Sequence, residues 1–123
     1  MRYLMVYRPA NIAAAEAGTP PTPEMMQKMG ALMQKKFGEG KLLSTEGCAP
    51  TAKGALVSLS KGKLSVIDGP FSETKEIIGG FALMQLRSHQ EAIAEAHEFL
   101  EVAGDGEVEI RLIYEPMTCG DGF

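Results

Sequence analysis

Residues 77–114 read IIGGFALMQLRSHQEAIAEAHEFLEVAGDGEVEIRLIY, and within this stretch the spacing of apolar residues changes twice. Ile77 to Leu86 is almost continuously apolar and of strand length, the pattern of a buried strand. Gly79 and Gly80 at its start point to a bulge, or to a close approach by another backbone or a ligand. Ser88 and Glu91 then stand in the S-x-x-E spacing, in which the hydroxyl and the carboxylate each satisfy a free amide of a helix's first turn. Ala92, Ile93, Ala96, Phe99, Leu100 and Ala103 follow at helical steps and give one apolar face. Gly104 and Gly106 release that helix. Glu107 to Tyr114 alternates Val108, Ile110 and Leu112 with Glu109 and Arg111, which is the two-residue period of a strand. The stretch is therefore strand, helix, strand.

The same order recurs toward the N-terminus. Arg2 to Tyr7 is aromatic, β-branched or long and apolar, and Pro9 is expected to stop that strand. Ala10 to Pro21 reads as a connecting loop, in which Ile12 to Ala17 could make a helical turn. Thr22 as N-cap, Pro23 at the first helical position and Glu24 beside the positive end of the dipole open a helix. Met25, Met26, Met29, Leu32, Met33 and Phe37 form its apolar stripe, and Gly38 and Gly40 end it. Four of the eight methionines lie in this stripe. Such a stripe can mark an adaptable binding surface, but its periodicity reads first as packing against a sheet. Lys41 to Glu46 is a short strand, and Cys48 to Gly54 a loop containing Pro50. Ala55 to Ser60 and Lys63 to Ile67 are two β-rich runs around Lys61-Gly62, the length of a tight hairpin loop.

With the hairpin set aside, the order is β-α-β-β-α-β, the split βαβ arrangement of a ferredoxin-like α+β fold. Both helices would cover one face of an antiparallel sheet. The other face carries too many apolar residues to stay wet, which predicts a homodimer. A length of 123 residues suits one domain, read as residues 1–115 with a poorly ordered tail at 116–123.

A hydrophobic share of 45% and a charged share of 23% are those of an ordinary globular protein. With a net charge of -4 and no basic run, nucleic acid is not an expected partner. The apolar run at the N-terminus is too short for a leader or a membrane span, so a cytoplasmic protein without membrane association is expected. Cys48 and Cys119 have no metal-ligand spacing, and a reducing compartment would leave both as thiols. No phosphate-binding glycine loop, serine-nucleophile elbow, H-E-x-x-H or paired C-x-x-C is present, so neither a cofactor nor a metal is indicated.

Asp68-Gly69-Pro70-Phe71-Ser72-Glu73-Thr74-Lys75-Glu76, followed by Gly79-Gly80-Phe81, resembles the signature of the DGPF group within the YCII-related family, with Ser72 where Ala is usual. The resemblance extends from the opening Met-Arg-Tyr strand through the Pro-Thr-Pro-Glu helix start and the Glu46-Gly47 turn to Val108-Glu109-Ile110-Arg111. It implies a dimeric α/β barrel, in which two ferredoxin-like sheets pack face to face, and no single activity. Relatives on that fold include isomerases, lyases and cofactor-free monooxygenases, and other DGPF domains occur beside or fused to sigma factors. The branch proposed to be enzymatic pairs a His near the start of the first helix with an Asp. Here Met25 stands at that position, so the dyad is absent or relocated.

The motif gathers Asp68, Glu73, Lys75 and Glu76 with the Thr74 hydroxyl, a concentration of ionisable groups that a cleft could tune. As an acid-base site it would use Asp68 as base and Lys75 or Arg8 to stabilise an anion, with Glu73 or Thr74 orienting them. Arg8, Thr74, Phe71 and Glu76 would then contact a substrate, Arg8 through its planar fork. Turn chemistry accounts for the same residues more simply: Asp68 caps the turn, Phe71 anchors it and the charges pair locally. His89 and His97 read as surface or boundary residues of the second helix. Two functions remain open: a ligand-binding or accessory module, and a cofactor-independent acid-base enzyme acting on a small metabolite.

Overall fold

The computed structural model describes residues 1–70 and 77–115. Its elements are β1 (Arg2–Pro9), α1 (Ile12–Glu16), α2 (Pro23–Gly38), β2 (Leu42–Gly47), a 3-10 turn at Thr51–Lys53, β3 (Ala55–Ser60), β4 (Lys63–Asp68), β5 (Gly80–Gln85), α3 (His89–Ala103) and β6 (Gly106–Leu112). Four strands form an antiparallel sheet in the order β2-β5-β1-β6, while β3 and β4 form a separate two-stranded sheet. This mixed α+β arrangement is compatible with the ferredoxin-like fold read from the sequence.

Register assigns the faces. Tyr3 and Met5 of β1 stand opposite Met84 and Ala82 of β5, and on the other side opposite Leu112 and Ile110 of β6. Tyr3, Met5, Leu42, Met84, Leu86, Ala92 and Ala96 form the buried core, with Met33, Ala82, Val108 and Ile110 packed against it. That face carries the helices. Tyr7 continues it and meets Phe99 of α3 edge to face, ring centres 5.2 Å apart. Leu4 and Val6 alternate to the opposite face, opposite Leu83 and Phe81.

The helix ends follow their local chemistry. Thr22 Oγ1 accepts from the Met25 amide at 3.1 Å, and Ser88 Oγ from the Glu91 amide at 3.1 Å. α2 runs through Gly38 and closes when Gly40 turns left-handed at φ +74°, its amide bonding the Phe37 carbonyl and that of Lys41 the Lys36 carbonyl. These are the paired bonds of a Schellman termination. The predicted reciprocal half of the α3 cap goes elsewhere, since Glu91 Oε1 accepts from the Arg87 amide at 3.2 Å.

Three boundaries differ from the sequence reading by two residues or more. β1 runs on to Pro9, opposite Gly106 at the start of β6. The strand expected from Ile77 begins at Gly80, because the Gly79 amide and carbonyl are engaged by the Tyr7 carbonyl and the Cys48 amide outside regular pairing. The close approach inferred for these glycines is present: a Cβ on Gly80 would lie 2.7 Å from the Glu46 carbonyl oxygen. Third, the last strand ends at Leu112 rather than Tyr114.

The hairpin turns at Lys61 and Gly62 as expected, with φ of 51° and 81°. Its paired side chains Val57 with Val66 and Leu59 with Leu64 share one face, and each is more than 60% exposed.

Candidate functional site

The apolar stripe of α2 does not close onto the sheet along its length. Only Lys36 of this helix is buried, and it is held by ions rather than by hydrocarbon. Its Nζ lies 2.8 Å from Glu95 and 2.8 Å from Glu98 of α3, and Lys41 reaches Glu95 at 3.2 Å. Burial alone would lower the pKa of the Lys36 ammonium, but its hydrogen bonds to the two glutamates and their charge outweigh this and raise it. Lys36 thus pins the C-terminal half of α2 to α3.

Toward its N-terminus, Met25, Met26, Met29 and Met33 line a cleft of about 1240 Å³. Met5, Tyr7, Ala82 and Val108 of the sheet and Ala96, Phe99 and Ala103 of α3 supply its floor and far side. Ala14 and Ala15 of α1, with the Gly18–Pro21 segment, supply its outer wall, and Gly47, Cys48, Pro50, Gly79 and Gly80 its end. Small residues at that end keep the space open, and flexible methionines give it an adaptable surface. The volume exceeds what a drug-sized molecule requires.

Polar groups in the cleft are few and mostly spent. Tyr7 donates its hydroxyl to the Asp105 carbonyl at 3.3 Å, and Thr45 donates to the Phe81 carbonyl at 2.9 Å. Burial, then the negative charge of Asp105, raises the Tyr7 phenol above its ordinary pKa, so it stays protonated and serves as a donor. Among the described residues the charged ones lining the cleft are Glu46, Glu95 and Asp105, and Glu95 is already paired. No group of three or more possible metal ligands occurs among the described residues. The arrangement can enclose apolar matter and offer it a few hydrogen bonds.

Residues 1–116 match the family model of the YCII-related domain. The chain belongs to the YCII-related family. It is also 34% identical over 95 residues to a protein of Rhizobium meliloti (strain 1021) described as uncharacterized, a match covering 75% of this chain and 77% of that one. Family membership therefore agrees with the fold and leaves the activity to be argued from the site.

Of the site residues singled out in the sequence of this YCII-related chain, the two among the described residues, Asp68 and Arg8, do not line the cleft. Asp68 ends β4 opposite Ala55, exposed, and is not among the described cleft-lining residues. Arg8 lies 2.8 Å from Glu109 and borders a separate depression of about 370 Å³ with Ile12, Ile77 and Glu107. Phe71, Glu73, Thr74, Lys75 and Glu76 lie outside the described residues, as do Cys119 and the rest of 116–123. His97 is exposed and 3.2 Å from Glu101, and His89 opens α3 as expected. Sequence reasoning passed over Tyr7 and Asp105, which carry no motif. It saw the methionine stripe and took it for core packing, because periodicity shows which face is apolar and not whether anything fills the space before it.

No described helix is long and apolar enough to cross a membrane.

Proposed function

We propose that this protein is a cytoplasmic, homodimeric ligand-binding or accessory module of the DGPF branch, whose methionine-lined cleft takes a small, largely apolar molecule. The cleft carries the reading: a large apolar volume and an adaptable wall suit binding. This gives binding more support than the acid-base alternative, in which Asp68 would act as base from outside the described lining.

Two apolar surfaces support the dimer. One is the sheet face bearing Leu4, Val6, Phe81 and Leu83, which the helices leave uncovered. The other is the hairpin face of Val57, Leu59, Leu64 and Val66. A two-fold partner seated on the sheet would form the barrel that the family resemblance implies, and would bury surface that otherwise meets water.

Thermal-shift screening of a metabolite library tests the binding reading. A ligand at a hundredfold excess over its Kd stabilises the folded state by about 2.7 kcal/mol. The expected hit raises the melting temperature of wild type and of Asp68→Asn, and not that of Met29→Lys. Equal shifts in wild type and Met29→Lys would place the ligand elsewhere, and loss of the shift in Asp68→Asn would favour the acid-base reading.

A further inference from the structure

None of Asp68, Gly69 and Pro70 lines the cleft, yet a series of contacts joins their turn to the cleft's outer wall. The Gly69 amide donates to the Gly54 carbonyl at 3.0 Å, and the Gly54 amide to the Thr51 carbonyl at 2.9 Å. Gly69 sits so close to that carbonyl that any Cβ there would collide with the Thr51 backbone. Glycine in the motif is thus required by packing. Thr51 in turn donates its amide to Glu16 Oε1 at 3.1 Å and its hydroxyl to Glu16 Oε2.

Glu16 is the last residue of α1, and Ala14 and Ala15 just before it face the cleft. α1 has five residues and buries none of them, so it lacks the length and the packing to hold its own place. Asn11 caps one end, its side chain accepting from the Ala14 amide at 3.0 Å. The Glu16 carboxylate fixes the other. Next to it, a Cβ on Gly18 would lie 3.5 Å from Pro50 Cγ, and both residues border the cleft.

We propose that the Asp-Gly-Pro turn and the Thr51–Lys53 turn together form an anchor that holds α1 as the outer wall of the cleft, with Glu16 and Thr51 as positioning residues for the bound ligand. This rests on the reading of the cleft as a ligand site. It gives the motif a role that needs no catalysis by Asp68. Gly69 lets the base of the hairpin meet Thr51, Thr51 presents two donors, and Glu16 carries the constraint into α1.

The test compares wild type, Glu16→Ala, Glu16→Gln and Thr51→Val by three readouts. These are binding of the neutral dye Nile red, hydrogen exchange at the Ala15, Ala17 and Thr19 amides, and the urea midpoint, with Met29→Lys showing that the dye occupies the cleft. Hydrogen bonds to a charged group predict a change on the order of tenfold or more when both are lost. Glu16→Ala is expected to weaken dye binding and speed α1 exchange by that factor while keeping the urea midpoint, since α1 buries no side chain. Glu16→Gln keeps one acceptor oxygen and should fall between the two. Wild-type exchange in α1 of Glu16→Ala overturns the anchor, and so does a fall in the urea midpoint that accounts for the loss of binding. If Glu16→Ala binds the dye as wild type does, the anchor's role fails while the cleft reading stands. If wild type binds no dye, the cleft reading fails and α1 exchange alone decides the anchor.

Discussion

Replacing Lys36 with Met removes the ion that ties α2 to α3. The Lys36 and Glu95 side chains are each 7% exposed, and two oxygens of Glu95 lie 2.8 and 3.1 Å from Nζ. Breaking a buried pair from one side costs about 3–5 kcal/mol, because it leaves the other charge desolvated. Glu95 keeps Lys41 at 3.2 Å, and Glu98, at 39% exposed, can return to water, so the low end of that range applies. A loss of about 3 kcal/mol moves a urea midpoint by roughly 1.5–2 M for a chain of this size. Lys36→Met with Glu95→Leu converts the pair to hydrocarbon and should recover to within about 1 kcal/mol of wild type. Urea unfolding of the four proteins, followed by circular dichroism, completes the cycle. A single-mutant loss under about 1 kcal/mol would mean that the pair behaves as a surface ion pair. A double mutant as unstable as Lys36→Met would mean that packing rather than charge is at stake.

Three further outcomes follow from the same geometry. The hydrogen bond from Lys36 lowers the Glu98 pKa below its ordinary 4.5, so the associated stabilisation is present above that pH and is lost as pH falls through the folded value. Acid unfolding of Lys36→Met should accordingly be less steep below pH 4.5 than that of wild type, and parallel curves would contradict the assignment. Gly80→Ala places a methyl against the Glu46 carbonyl and Gly47 Cα, both backbone, and should cost about 2 kcal/mol by urea titration; an unchanged midpoint would show that β2 shifts freely. In sedimentation, wild type is expected at twice its 13.2 kDa mass and Phe81→Arg as a monomer, whereas a monomeric wild type at micromolar concentration would refute the dimer.

Much of the fold was legible because its signals are local. Thr22, Ser88 and Lys61-Gly62 each act within three or four residues, and the alternation of Val108 and Ile110 with Glu109 and Arg111 marks the two faces of β6 without reference to anything distant. What escaped depends on partners far along the chain. Nothing local marks Lys36, and only the fold brings Glu95, 59 positions away, to its amine. The paired β-rich runs specify a hairpin but not that it forms a sheet of its own. The site was legible only in part. The methionine spacing was visible, but the space in front of it is bounded by α1, the glycines of 79–80 and the sheet, which only the fold brings together. Asp68 attracted attention as an ionisable group in a motif, while the close packing of the Gly69 and Thr51 backbones at that turn involves residues far apart in sequence and left no local signal.

Methyl-labelled methionine resonances, recorded while 3-phenylpropan-1-ol is titrated into the protein, address the cleft directly. The account predicts that the methyl signals of Met5, Met25, Met26, Met29 and Met33 move together along one saturable curve, while those of Met1 and Met84, which do not line the cleft, stay in place. Shifts confined to Met1 and Met84, or no saturable shift in the five cleft methionines, would contradict it.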